Sequence, residues 1–470
     1  MKSLYKYKII KIIVPALIFI FISLAGFGQQ TNQDTSTTDE IIIYNSDNTI
    51  LKKDTGDFIK YLNGNVKIYH DSTFFFADTA VLNQKILTAW GNIVIMQHDT
   101  IKIFSDSLYY NGDSLKAKLK GRVLLQNENK EVRTNNLYYD VHNKIAKYTS
   151  GAELTQKSSV LKSQTGTYFV NQNIIKFKDF VSVRDSSFNL FTDSLDFDTK
   201  SRIARFIAPT LINRDSSNIY CESGYYDLEN NNALFEKNMT YKKNDVSATA
   251  KKLFYIDSLS RYILAGNAIY KEKDLVAKAD TIYHNTKKDQ SVLLGNAEFK
   301  NKNQSAYGNK IIYNHKNESF VTEGRSTLTD KNIKITADHT DYSKKDGKGY
   351  ASGKVIFVDT ASNIIINSSK MFLQRDNNYM LAFGDSLKRV LMLFMEKTDT
   401  TYLSSDTLMS MDVIKQIDSL TFDTLNTLKA YNNVKIFNKD YQALSDSLAY
   451  FPDDSLYILY DNPVLWSDST

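Results

Sequence analysis

Six aspartates, Asp78, Asp106, Asp193, Asp280, Asp338 and Asp446, recur in one local setting: a small residue, then the carboxylate, then, in all but Asp338, an apolar residue two further on. A regular row of acids is the pattern in this chain best suited to hold calcium. Calcium solenoids, however, bring several acidic ligands and glycine-rich loops to every turn. This chain has one such Asp per unit of about 29 residues and only 18 glycines. A lone carboxylate per unit fits a corner cap or a solvating group, so no metal is expected. The six histidines, His70, His98, His142, His284, His315 and His339, lack ligand spacing and are expected at the surface. Cys221 stands alone in Ile219-Tyr220-Cys221, which suits a small strand hydrophobe rather than a disulfide framework. Nucleophile-elbow, P-loop and dinucleotide fingerprints are missing, and a triad is unreadable among so many Ser and Asp. No catalytic residue and no cofactor is assigned.

The acids are positioned by a repeat. Gly64, Gly91, Gly121, Gly151, Gly266, Gly295, Gly324 and Gly353 return about every 29 residues, with Asp179, Ala208 and Asn238 filling the gap in phase. Such a unit is too short to bury its own apolar face, so units must stack and any function should lie along the stack. Few breakers interrupt it: Pro occurs 4 times, while 30 Tyr and 26 Phe suit pleated surfaces.

Alternation around each Gly gives the expected inward side chains. Val66 and Ile68, Ile93 and Ile95, Val123 and Leu125, Ala297 and Phe299, and Val355 and Phe357 follow the anchors, and Val434 and Ile436 belong to the repeat that resumes at Leu428. Leu115 and Leu119 alternate with lysines ahead of Gly121. Ile103 precedes Ser105-Asp106, and Leu108 with Tyr110 follows it, as Leu195 with Phe197 follows Thr192-Asp193. The inward phase switches across each small-Asp pair, as a bulge or a bend between two sheets requires. Three short antiparallel strands fit each unit. The expectation is an all-β, elongated, twisted jelly roll or solenoid-like stack.

Around this array, residues 1–28 read as a signal peptide, expected to be helical. Lys2, Lys6, Lys8 and Lys11 precede an apolar run from Ile12 to Ala25, which is short for a membrane anchor. Residues 29–58 read as a polar linker with a first strand, 59–383 as the repeat array, 384–425 as an irregular insertion in which Met409–Ile417 forms a short helix or long loop, and 426–470 as a further repeat ending mid-array. Without the four signal lysines, the 58 Lys and Arg come within one residue of the 53 Asp and Glu. Nucleic acid, which selects for a basic face, is therefore not an expected partner.

The units Gly64-Asn-Val-Lys-Ile68 and Gly91-Asn-Ile-Val-Ile95, the recurring Ala/Ser-Asp-x-x-x-Tyr strand, and Asn462-Pro-Val-Leu-Trp466 resemble the OstA-like or LptA-like lipopolysaccharide transport family over about residues 59–466. The resemblance implies a half-open β-jelly roll in the periplasm whose apolar interior shelters lipid A acyl chains. It also implies edge-to-edge pairing with other Lpt-type envelope components. The inward residues named above would then line a lipid groove, or else fill a closed dry core. Lys67, Lys118 and Lys435 would meet lipid phosphates or keep strand edges soluble. The rival expectation is an exported β-repeat protein that binds protein or glycan partners through its outer face.

Overall fold

The strand Asp57–His70 contains the plan of the whole array. Gly64 and Asn65 both adopt left-handed backbone, with φ of +74° and +47°, and bend the strand without ending it. Before the bend it pairs with Asn48–Asp54, and beyond it with Ile42–Asn45. The next strand, Thr73–Asn83, follows both halves, and the register jumps between Asn63 and Val66. The same jump recurs at Trp90/Ile93, Lys120/Val123, Leu294/Ala297 and Ser352/Val355. Asn tolerates left-handed backbone better than most residues, and Gly has no Cβ to clash, which explains the recurring Gly-Asn pair.

The computed structural model describes residues 40–467 apart from 55, 99, 187, 215, 397–398 and 417–421. Within them, 36 strands form one antiparallel ladder folded along this corner into two facing layers. Residues 66–70, 73–77, 93–97, 101–105 and 123–127 begin the first layer. Residues 57–63, 79–83, 86–90, 107–111 and 116–120 begin the second. Rings meet across the gap, as with Phe75 and Tyr110, whose centroids are 4.6 Å apart, and Phe299 and Tyr313, also 4.6 Å apart. Within a layer, inward side chains stack rung on rung in the order Phe75, Ile95, Ile103, Leu125. All are buried, and each contributes on the order of 1.5–3 kcal/mol.

Three expectations need correction. Each unit has two bent strands of roughly a dozen residues, not three short ones, because the corner switches the side-chain phase while the hydrogen-bond ladder continues. The segment 384–425 carries strands Val390–Met395, Thr400–Ser405, Thr407–Gln416 and the start of Phe422–Phe437, so a strand occupies the place of the expected helix or loop. Its outward positions are apolar too: Leu391 and Leu393 alternate with buried Val390 and Met392, which hides the period-two signal. Leu115 lies in the turn before Lys116–Asn127 and packs half-buried against the end of the core. The signal segment and most of the polar linker lie outside the described residues.

Candidate functional site

At the corner, the recurrent aspartates act on the backbone bend. Asp78 accepts from the Asn92 amide at 2.9 Å, Asp280 from Asn296 at 3.1 Å, and Asp106 from Arg122 at 2.6 Å. Each carboxylate lies over the glycine of the following strand: a Cβ on Gly91 would fall 2.3 Å from the Asp78 carboxylate. The Arg122 guanidinium holds the Asp106 carboxyl below its ordinary pKa. Among the described residues, no three His, Cys, Asp or Glu side chains converge as a metal site would. Lys67 lies over the rings of Tyr44, Phe74 and Phe76 on the outer surface, and Lys118 over Tyr138.

The opposite, mouth side carries a ladder that the sequence reading missed. Tyr110, Tyr139, Tyr168, Phe197, Tyr226, Tyr255, His284, Tyr313 and Tyr342 stand 29 residues apart at the mouth end of the second layer. Across from them, the last residues of first-layer strands are polar. His70 Nδ1 and the Tyr110 hydroxyl are 2.6 Å apart, Tyr139 donates to Gln97 Oε1 at 2.6 Å, and Asn127 donates to the Tyr168 hydroxyl at 2.9 Å. Gln156 donates to the Thr199 carbonyl at 2.9 Å in the rung where Phe197 replaces tyrosine. These groups are buried, so the surface expectation for His70 is corrected: it is 2% exposed, while His98 and His142 are exposed. Burial raises the phenol pKa of Tyr110 and Tyr139, keeping both hydroxyls neutral. Strict 29-residue tyrosine spacing was the available signal.

From His70 to Thr199 the inward side chains form a continuous buried core. Val66, Ile68, Ile93, Ile95, Ile103, Leu108, Tyr110, Leu119, Val123, Leu125, Leu195 and Phe197 are buried there in one continuous core. Further along, two cavities open between the layers. The first, about 440 Å³, is walled by residues including Ile212, Phe235, Ala248, Leu264, Ala277 and Phe299. The second, about 500 Å³, includes Leu328, Ile366, Phe357, Met392, Leu403 and Ile436. Of the expected lining residues, Phe299 faces the first cavity and Phe357 and Ile436 the second, while Val355 and Val434 are buried in the core around the second. Both volumes fall in the range of small-molecule sites.

The first cavity has a simple cause. The middle inward position of every second first-layer strand reads Phe75, Ile103, Val132, Leu161, Leu190, Ile219, Ala248, Ala277, Ala306, Ile335. Ala248 and Ala277 stand where most of these strands carry a larger side chain, and both line the cavity. Its mouth is lined by Arg214, Lys243, Tyr255, His284 and His315. Ser291 Oγ lies 3.1 Å from His284 Nδ1 and 2.9 Å from His315 Nε2. Burial lowers both histidine pKa values, and for His284 the neighbouring His315 adds to the effect. Cys221 is buried in Ser217–Cys221, where burial pushes its thiol up to about 12, so it is chemically quiet.

At the rim of the second cavity, Asp330 accepts from Tyr342 and from Arg375, each at 2.7 Å. Burial alone would raise the Asp330 pKa, but these donors outweigh it and hold the carboxyl below its ordinary 3.8. A group depressed on folding contributes stability above its unfolded pKa and loses it as pH falls through the folded value. The stability of the wild type to urea should therefore fall as the pH drops below about 5. Asp330→Asn should cost about 1–3 kcal/mol at neutral pH and remove that part of the acid dependence. Equal losses between pH 6 and 3 in both proteins would refute this role.

A bent antiparallel ladder folded into two facing layers around apolar cavities defines a β-jelly-roll protein. Sequence comparison gives its family. The profile described as LptA/(LptD N-terminal domain) LPS transport protein matches residues 161–290, 270–319 and 334–470. One described as OstA-like protein matches residues 38–191. The chain belongs to this LptA/LptD-N lipopolysaccharide transport family. Among solved structures it is similar to LptH of Pseudomonas aeruginosa, described as the LptA homologous periplasmic component of the conserved lipopolysaccharide transport device. That likeness has 11% identity and a TM-score of 0.23, and covers 29% of this chain and 95% of that chain. Comparison with curated proteins finds no match.

Proposed function

We propose that this chain carries lipopolysaccharide in the periplasm without catalysing a reaction, with acyl chains held between its layers and the headgroup at the mouth. The carrying observation is the pair of apolar-walled cavities under a polar mouth. Burying an acyl chain of about twelve carbons is favourable by roughly 10 kcal/mol before ordering costs, at about 0.8 kcal/mol per methylene. That is enough for reversible holding without covalent chemistry. Edge pairing with other Lpt-type components is supported by exposed apolar residues on edge strands, Ile50 and Leu51 in Asn48–Asp54 and Leu465 and Trp466 in Val464–Ser467.

The test is a photo-crosslinking residue at Phe299, Phe357, Ile95 or outward Lys118 in cells. Lipopolysaccharide adducts are expected at Phe299 and Phe357, few at Ile95 in the filled section, and none at Lys118. Labelling at Lys118 equal to that at Phe299 would replace this reading with binding on the outer face.

A further inference from the structure

The polar partners along the mouth change character with position. In the first four rungs they are His70, Gln97, Asn127 and Gln156, all nearly fully buried. In the following rungs the equivalent strand ends are Asp185, Arg214, Lys243 and Glu272. Lys243 is exposed and Arg214 and Glu272 are half-buried. The two kinds of closure respond differently to opening. Parting a buried neutral pair strands its polar atoms without partners in a packed interior, and several such pairs in succession would have to part together. An ionic side chain at the rim only exchanges a partner for water, in which it is already partly solvated.

The wetter stretch coincides with the space beneath it. Arg214, Lys243, Tyr255 and His284 border the first cavity, which lies over Ala248 and Ala277. The rungs on the N-terminal side are filled and latched. On the C-terminal side, Phe299, Tyr313 and Phe320 pack ring against ring, with centroids 4.6–4.8 Å apart, between this cavity and the Asp330 cluster. A ligand reaching the cavity along the stack must displace one of these packed stretches. One coming sideways meets side chains that are half-buried or exposed, Arg214, Lys243, Tyr255, Glu272 and His284, rather than fully buried pairs.

We infer that the mouth between Arg214 and His315 is a lateral portal, through which an amphiphile with an apolar chain and a polar head loads directly into the first cavity. The rungs from His70 to Thr199 stay shut during loading. This inference rests on the lipid-carrier reading above.

The test uses cysteine pairs across the mouth in a Cys221→Ala background, joined by a short bis-maleimide. Arg214→Cys with Tyr255→Cys spans the portal, since both side chains line its mouth. Gln97→Cys with Tyr139→Cys spans the latched section. Uptake of a dodecyl amphiphile with a fluorophore on its head is followed with and without the linker, so each uncrosslinked protein controls for folding. The 214–255 linker should slow uptake about tenfold or more, and the 97–139 linker should leave it unchanged. Unaltered uptake with the portal linked, or slowed uptake with the 97–139 linker, overturns lateral loading while leaving lipid binding intact. Absence of uptake by every protein, the unmodified chain included, overturns the carrier reading and the portal with it.

Discussion

Gly224→Val should open the array locally and cost about 3–5 kcal/mol, the range of the most severe single substitutions. Gly224 lies in Ser223–Asp227, paired with Phe206 on one side and Phe235 on the other. A Cβ there would lie 2.1 Å from the Leu234 carbonyl oxygen and 2.7 Å from the Phe206 ring, and its φ of +155° already disfavours a side chain. The nearest obstacle is backbone, so no rotamer change relieves it, and the adjoining rungs must separate. Because each rung touches mainly its neighbours, the damage should be regional. Hydrogen exchange should accelerate first over about residues 203–243, while the strands around Ile95 remain protected. Gly324→Asn is the matched control. Its φ of +78° suits Asn and its Cβ would meet nothing closer than 3.9 Å, so stability should change by less than about 1 kcal/mol. Equal melting temperatures for the two variants, or uniform exchange along the array, would contradict this account.

Ala248→Leu combined with Ala277→Leu should abolish amphiphile binding at the first cavity while leaving the fold intact or more stable. Both alanines are buried and line the cavity. The equivalent strands of other units carry Leu161, Leu190, Ile219 and Ile335 at the same inward position, so a branched apolar side chain is one this backbone accommodates there. Filling an apolar void restores dispersion contacts and removes the space a ligand chain would occupy. The expected result is a loss of affinity for a dodecyl amphiphile of about tenfold or more, equivalent to about 1.4 kcal/mol or more, with an unchanged or higher melting temperature. The same pair of changes at Leu161 and Leu190, to alanine, should destabilise by about 2–5 kcal/mol each, because those rungs are filled. Undiminished binding by the filled variant would show that the ligand lies elsewhere. A drop in stability alongside lost binding would instead indicate overpacking.

Fold and site differ in how far they could be read from the residues. The bend at Gly91-Asn92 is a local demand: left-handed backbone at two successive positions is met by Gly and Asn, and the alternation on either side declares which side chains turn inward. Val66, Ile95 and Phe197 were therefore placed inside correctly. The same reasoning failed over Val390–Met395, where apolar residues on both surfaces erased the alternation although the ladder persists. It also failed for His70, whose burial depends on a tyrosine hydroxyl from the opposite layer.

Local periodicity was enough to determine a corner-bent β stack in this chain, since backbone conformation and facing depend on residues one or two positions apart. Whether that stack is filled or hollow was decided only in three dimensions. A void is the difference between the space separating two layers and the summed volumes of side chains from several rungs. A latch needs partners about forty residues apart in the chain to meet across the mouth. Ala248 and Ala277 look unremarkable as inward residues 29 positions apart, and they mark a cavity only once the opposite layer is seen not to fill the space above them.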